Sequence, residues 1–177
     1  MSRLAVFGGV RNEVPEHFLT EARDLGAALA NAGFSVVCGG VSGGVLGALI
    51  DGIVDGSGTV FGVVASEYRQ QRHPRVSEVR YVGTIADRIG EIVGGAAGVI
   101  VLPGGMGTLE ETFVAWRLLA KADDGRCMFA LNSDGVLDEL VAHLDRLTSS
   151  GFITPTDRER LVTCPSAETL LDQCRLH

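Results

Sequence analysis

Short apolar runs alternate with longer segments of helical period through the first three quarters of this chain, and that alternation limits the folds open to it. The runs at 4–7, 35–38, 59–64, 98–102 and 127–131 are rich in Val, Ile, Leu and Phe with almost no charge. Near-continuous apolar runs of this length suit strands buried on both faces, as in a parallel sheet. Helical period marks 16–32, 44–54, 85–94, 109–122, 135–147 and 165–174, with Phe18, Ala22, Leu25, Leu29 and Ala32 on one face of the first and Gly33 as its stop. Strands joined by helices predict an α/β fold, a Rossmann-like doubly wound parallel β-sheet flanked by helices. The 177 residues predict a single nucleotide-binding α/β domain over 1–177, with a turn region at 151–155 and no linker.

In such a sheet ligands bind beyond the carboxyl ends of the strands, so the loops there are the candidate site. Three are rich in glycine: Gly8-Gly9, then Gly39-Gly40-Val41-Ser42-Gly43-Gly44, then Pro103-Gly104-Gly105-Met106-Gly107-Thr108. Glycine lets a backbone approach a ligand closely, and a helix opening just behind it presents unpaired amides and a positive dipole end. Gly104, Gly105, Gly107 and Thr108 are therefore candidate phosphate contacts, joined by Gly8, Gly40 and Ser42 from the other two loops. The Thr108 hydroxyl has two uses open to it, capping the helix or bonding a phosphate oxygen.

Glu110 and Glu111 are expected in the first turn of the helix behind the third loop. A carboxylate one turn beyond a bound phosphate would lie near the ribose. There it can stabilise the positive charge that builds on a sugar as its N-glycosidic bond breaks, or activate water. Arg88, on the preceding helix, is a candidate to bind phosphate or polarise the base.

The net charge of −7 disfavours nucleic acid as a partner, because the one basic cluster, Arg69, Arg72, His73, Arg75 and Arg80, is modest. Cys38, Cys127, Cys164 and Cys174 lack C-x-x-C spacing and read as reduced thiols, and no metal site or cofactor is expected. The first strand follows at once on the N-terminus, with neither a charged leader nor an apolar stretch of about 20 residues, which predicts a cytoplasmic protein without a membrane partner.

The run from Pro103 through Thr108, Leu109, Glu110 and Glu111 resembles the P-G-G-x-G-T-x-x-E signature of the Lonely Guy (LOG) family, cytokinin riboside 5′-monophosphate phosphoribohydrolases often misnamed lysine decarboxylases. Gly39 through Gly47 looks like the same family's G-G-G-S-x-G-L-M-G, and the likeness extends through Asn132 and Gly135 to Gly151-Phe152. The resemblance implies hydrolysis of AMP or an N6-modified AMP to free base and ribose 5-phosphate, with Glu111 as the catalytic carboxylate and Arg88 beside it. It also implies a homodimer, with the helix carrying Trp116 near the subunit contact.

Three departures stand out. Ile89 replaces the lysine of the family's Arg-Lys pair, Gly9, Val10 and Arg11 replace the serines after the first strand, and the segment between Trp116 and Asn132 is about two residues longer. They leave two alternatives: a nucleotide carrier of the same fold without catalysis, or an N-glycosidase for a non-adenine nucleotide. Lysine decarboxylation is not among them. Its pyridoxal chemistry needs a Schiff-base lysine, and the one lysine here, Lys121, reads as a surface residue at a helix end.

Overall fold

In the computed structural model, which describes residues 2–176, the elements run β1 (Arg3–Phe7), α1 (Glu16–Asn31), β2 (Ser35–Cys38), α2 (Gly44–Asp55), β3 (Val60–Ala65), β4 (Glu78–Val82), α3 (Ile85–Gly94), β5 (Gly98–Val101), α4 (Met106–Ala122), β6 (Met128–Leu131), α5 (Asp138–Ser149), α6 (Pro155–Glu159), β7 (Leu161–Cys164) and α7 (Ala167–Leu176). All seven strands pair in parallel, in the order β4-β3-β2-β1-β5-β6-β7. The expected doubly wound α/β sheet is what forms.

Side chains alternate across a strand, so each central strand feeds two cores. Leu4 and Val6 join Val36, Ile100 and Phe129 under α1, α2 and α7. Ala5 and Phe7 join Val37, Val99 and Met128 under α3, α4 and α5. The chain turns to one side of β1 to make β2 and returns on the other side as β5, so the loops after β1 and β5 diverge at the sheet's switch point and leave a cavity between them.

Several boundaries differ from expectation. β4 and β7 were not anticipated, and both are edge strands; β4 exposes Glu78 and Arg80, so it lacks the apolar run that marks a central strand. α6 begins at the last residue of the expected 151–155 turn region because Pro155 opens it at the first helical position and Thr154 accepts from the Asp157 amide at 3.1 Å. α4 begins at Met106, three residues before the expected start, which puts Glu111 in its second turn.

The four cysteines are free thiols, three of them buried. Among the described residues no helix is long and apolar enough to cross a membrane, and no group of His, Cys, Asp or Glu is arranged to hold a metal ion.

Candidate active site

A cavity of about 620 Å³ opens at the carboxyl ends of the central strands, within the size range of small-molecule sites. It is lined by Gly8 and Gly9 after β1, Gly39 and Val41 after β2, and residues 103–108 at the start of α4. Arg88 and Glu111 lie in the same wall.

α4 is capped by Gly105 with no side-chain hydrogen bond, and the first helical amide bonded within the chain is that of Leu109, which donates to Gly105 O at 3.0 Å. Among the described residues the amides of Met106, Gly107 and Thr108 therefore have no acceptor. Thr108 sits in the third helical position and cannot be the N-cap. Its hydroxyl lies over Gly104, where an added Cβ would come within 2.2 Å of Thr108 Oγ1. Capping is thus excluded for that hydroxyl.

The start of α2 is different because the protein fills it. The Gly44 amide donates to Asn12 Oδ1 at 2.9 Å, and the Leu46 amide donates to Gly9 O at 3.0 Å. Gly44, at φ +56°, lies so close to the first loop that a Cβ there would be 2.6 Å from Gly9 O and Arg11 O. Gly40 and Ser42 do not line the cavity, contrary to expectation. Gly40 is pressed against the backbone of Gly62 in β3, and Ser42 is exposed with its amide donating to Gln71 O at 2.8 Å. Their neighbours Gly39 and Val41 line the cavity instead.

Arg88, on the first turn and a half of α3, is only 8% exposed, and its Nη2 donates to Glu111 Oε1. α3 is fixed at its start by Thr84, whose hydroxyl accepts from the Asp87 amide at 3.1 Å. The guanidinium fills the space over Gly39, where any Cβ would lie 3.0 Å from Nη1. Arg88 Nε is buried without a partner among the described residues. An orphaned buried donor is costly, so the Arg88–Glu111 pairing is held at some expense of stability.

Burial pushes the Glu111 carboxyl up to about 7, with the Arg88 charge opposing that rise and the Glu110 charge adding to it. Glu110 itself is exposed. Cys38, beneath the same residues, is pushed up to about 12 by burial and stays a thiol.

Tyr68 and the apolar wall of Val14, Phe18, Val136 and Leu137 were not anticipated. Tyr68 comes from a 3₁₀ turn, Ser66–Gln71, that has neither strand nor helix period, and its ring lies 5.9 Å from the Arg88 guanidinium. No local pattern announces it. Lys121 is exposed in the last turn of α4, ten residues beyond Glu111 and so about 15 Å along the helix axis. Trp116 is 7% exposed and donates through Nε1 to Asp157 O at 2.7 Å, so its indole ties α4 to α6 within the chain. The apolar side chains that α4 leaves exposed are Met106, Phe113 and Val114.

A family profile described as possible lysine decarboxylase matches residues 46–174. A cytokinin riboside 5′-monophosphate phosphoribohydrolase of Arabidopsis thaliana is 33% identical over 96% of this chain and 80% of its own length. A probable enzyme of the same description from Oryza sativa subsp. japonica is 34% identical over 98% and 71% of the two chains. Among solved structures, a molybdenum cofactor binding protein from Rippkaea orientalis aligns with a TM-score of 0.78 at 21% identity, covering 99% of this chain and 96% of that one. The molybdenum cofactor carrier protein of Chlamydomonas reinhardtii aligns at 0.77 and 19% identity, with the same coverage. At these identities the structural matches establish a shared fold.

Proposed function

This chain belongs to the Lonely Guy family, and from that membership we propose that it hydrolyses the N-glycosidic bond of a nucleoside 5′-monophosphate, AMP or an N6-modified AMP, to free base and ribose 5-phosphate. The observation that carries the reading is Glu111, a largely buried carboxylate paired with Arg88 in a cavity whose adjoining wall holds three unbonded helix amides.

In this reading the phosphate rests on the amides of Met106, Gly107 and Thr108 where the dipole of α4 favours an anion, with Gly104 and Gly105 giving close access. Gly8 borders the same space. The anomeric carbon then faces Glu111. Water attacks that carbon as its bond to the base nitrogen breaks; the bonding pair leaves with the base, which takes up a proton. The Glu111 carboxylate stabilises the positive sugar and accepts the proton of the attacking water. Arg88 positions Glu111 through the bond from its Nη2. No step needs Lys121, and the reaction is not a lysine decarboxylation.

Only the ionised carboxylate can do this work. With its titration raised to about 7, kcat/KM should climb about tenfold per pH unit below that point and level off above it. A profile from pH 5 to 9 checks this, and a rate flat across neutrality would remove Glu111 from the proton-accepting role.

The direct test is base release, followed by chromatography, across a panel of nucleoside monophosphates. One observation favours the carrier reading: Ile89, where the family has its lysine, is 1% exposed and packed in the core, so this position brings no amine to the site. Tight nucleotide binding with no base release from any panel member would establish the carrier. Release of a non-adenine base alone would establish the other specificity.

We further propose one nucleotide-binding domain acting as a cytoplasmic homodimer, without nucleic-acid or membrane partners. The basic cluster supports the exclusion of nucleic acid, since Arg75 is held by Asp51 and Asp55 and Arg80 by Glu91. Light scattering should return twice the chain mass; the mass of one chain would reject the dimer.

A further inference from the structure

Charge balance in the cavity points to a residue outside the glycine loops' phosphate cradle. A nucleoside 5′-monophosphate brings between about 1.5 and 2 negative charges at neutral pH. The opening of α4 offers about half a positive charge. Of the two cations that line the cavity, Arg88 is already paired with Glu111, and the other is Arg11.

Arg11 has no carboxylate, hydrogen-bond or ring partner among the described residues. The chain carries 22 acidic against 15 basic residues, and in the basic segment Arg75 is paired with Asp51 and Asp55 and Arg80 with Glu91. Arg72, Arg117 and Lys121 also lack such partners among the described residues, but of these cations Arg11 is the one that lines the cavity. It is also a departure from the family pattern, which has serines in this loop.

The backbone that carries Arg11 is held on both sides. Gly9 N donates to Pro103 O and Leu46 N donates to Gly9 O, each at 3.0 Å, while Asn12 Oδ1 accepts from Gly44 N at 2.9 Å. A Cβ on Gly9 would lie 3.1 Å from Gly104 Cα, so the Arg11 loop and the phosphate loop are in backbone contact. Two residues span at most about 7 Å, which keeps the Arg11 Cα close to the opening of α4. The guanidinium fork matches two phosphate oxygens at once.

We propose that Arg11 recognises the 5′-phosphate and makes the site select monophosphates over unphosphorylated nucleosides. This rests on the phosphate lying at the start of α4, and the test separates the two. Arg11→Ala and Arg11→Lys are compared with the unsubstituted protein in calorimetric binding of AMP, and in kcat and KM for AMP and adenosine. Arg11→Ala should raise the Kd and KM for AMP about 10- to 100-fold, change kcat far less, and lower the preference for AMP over adenosine by the same factor. Arg11→Lys should recover part of the loss, since it restores the charge without the fork. Unchanged AMP affinity in Arg11→Ala, beside firm binding by the unsubstituted protein, would overturn the assignment to Arg11 alone. Failure of the unsubstituted protein to bind AMP at all would remove the phosphate reading, and Arg11 with it.

Discussion

Glu111→Gln is expected to lower kcat for base release by about a hundred- to ten-thousandfold, the range associated with losing a positioned acid or base. The substitution keeps shape and an oxygen that can accept from Arg88 Nη2, so the α3–α4 contact survives while the negative charge is lost. Circular dichroism and the melting temperature should stay near those of the unsubstituted protein, and the rise of rate through pH 7 should disappear. Glu111→Ala is the less clean variant. It leaves Arg88, 8% exposed, with neither the charge nor an acceptor for Nη2, whereas Glu111→Gln keeps the acceptor, so the alanine variant should lose about 1–3 kcal/mol more stability. Turnover by Glu111→Gln within tenfold of normal would refute the role given to this carboxylate.

The second large effect is structural. Gly52→Ala should destabilise the fold by about 3 kcal/mol or more and lower the melting temperature by about 6–12 °C. α1 and α2 touch backbone to backbone: a Cβ at Gly52 would lie 1.9 Å from Arg23 O, and one at Gly26 would lie 2.3 Å from Leu49 O. Neither obstacle is a flexible side chain, so the helices must move apart. That movement would also disturb Arg23 against Asp51 and Asp55. Gly90→Ala is the opposite case. Gly90 is exposed within α3 with nothing within 4 Å of an added Cβ, and alanine there should gain about 0.5–1 kcal/mol. A melting temperature for Gly52→Ala equal to that of the unsubstituted protein would contradict the described helix contact.

Much of the framework was readable from local pattern. β1, β2, β5 and β6 are buried at nearly every position, so each is written as an apolar run, and the helices between them show their inner faces. β4 escaped notice because an edge strand with solvent on it can hold Glu78 and Arg80. Met106, Gly107 and Thr108 follow two glycines and read as loop, yet burial of Thr108, Thr112, Ala115 and Trp116 on one face extends α4 back to Met106. Gly40 and Ser42 looked equivalent to Gly39 and Val41 in a glycine-rich run. Which of them faced a ligand depended on how the loop packs against Gly62 and Gln71.

By itself the sequence determined the layered α/β fold, the glycine loops at the carboxyl ends of its strands, and the family, because periodicity and short motifs are properties of neighbouring residues. Only the tertiary structure decided that Arg88 and Glu111, 23 residues apart, meet in the cavity wall, and that burial there raises the Glu111 carboxyl to about 7 against the opposing pull of the Arg88 charge. It decided likewise that the Gly44 and Leu46 amides of α2 are occupied while the first three amides of α4 are open, and that Arg11 lines the cavity without a partner among the described residues. Burial, pairing and free valence depend on distances between elements, and those distances are set when the helices close over the sheet.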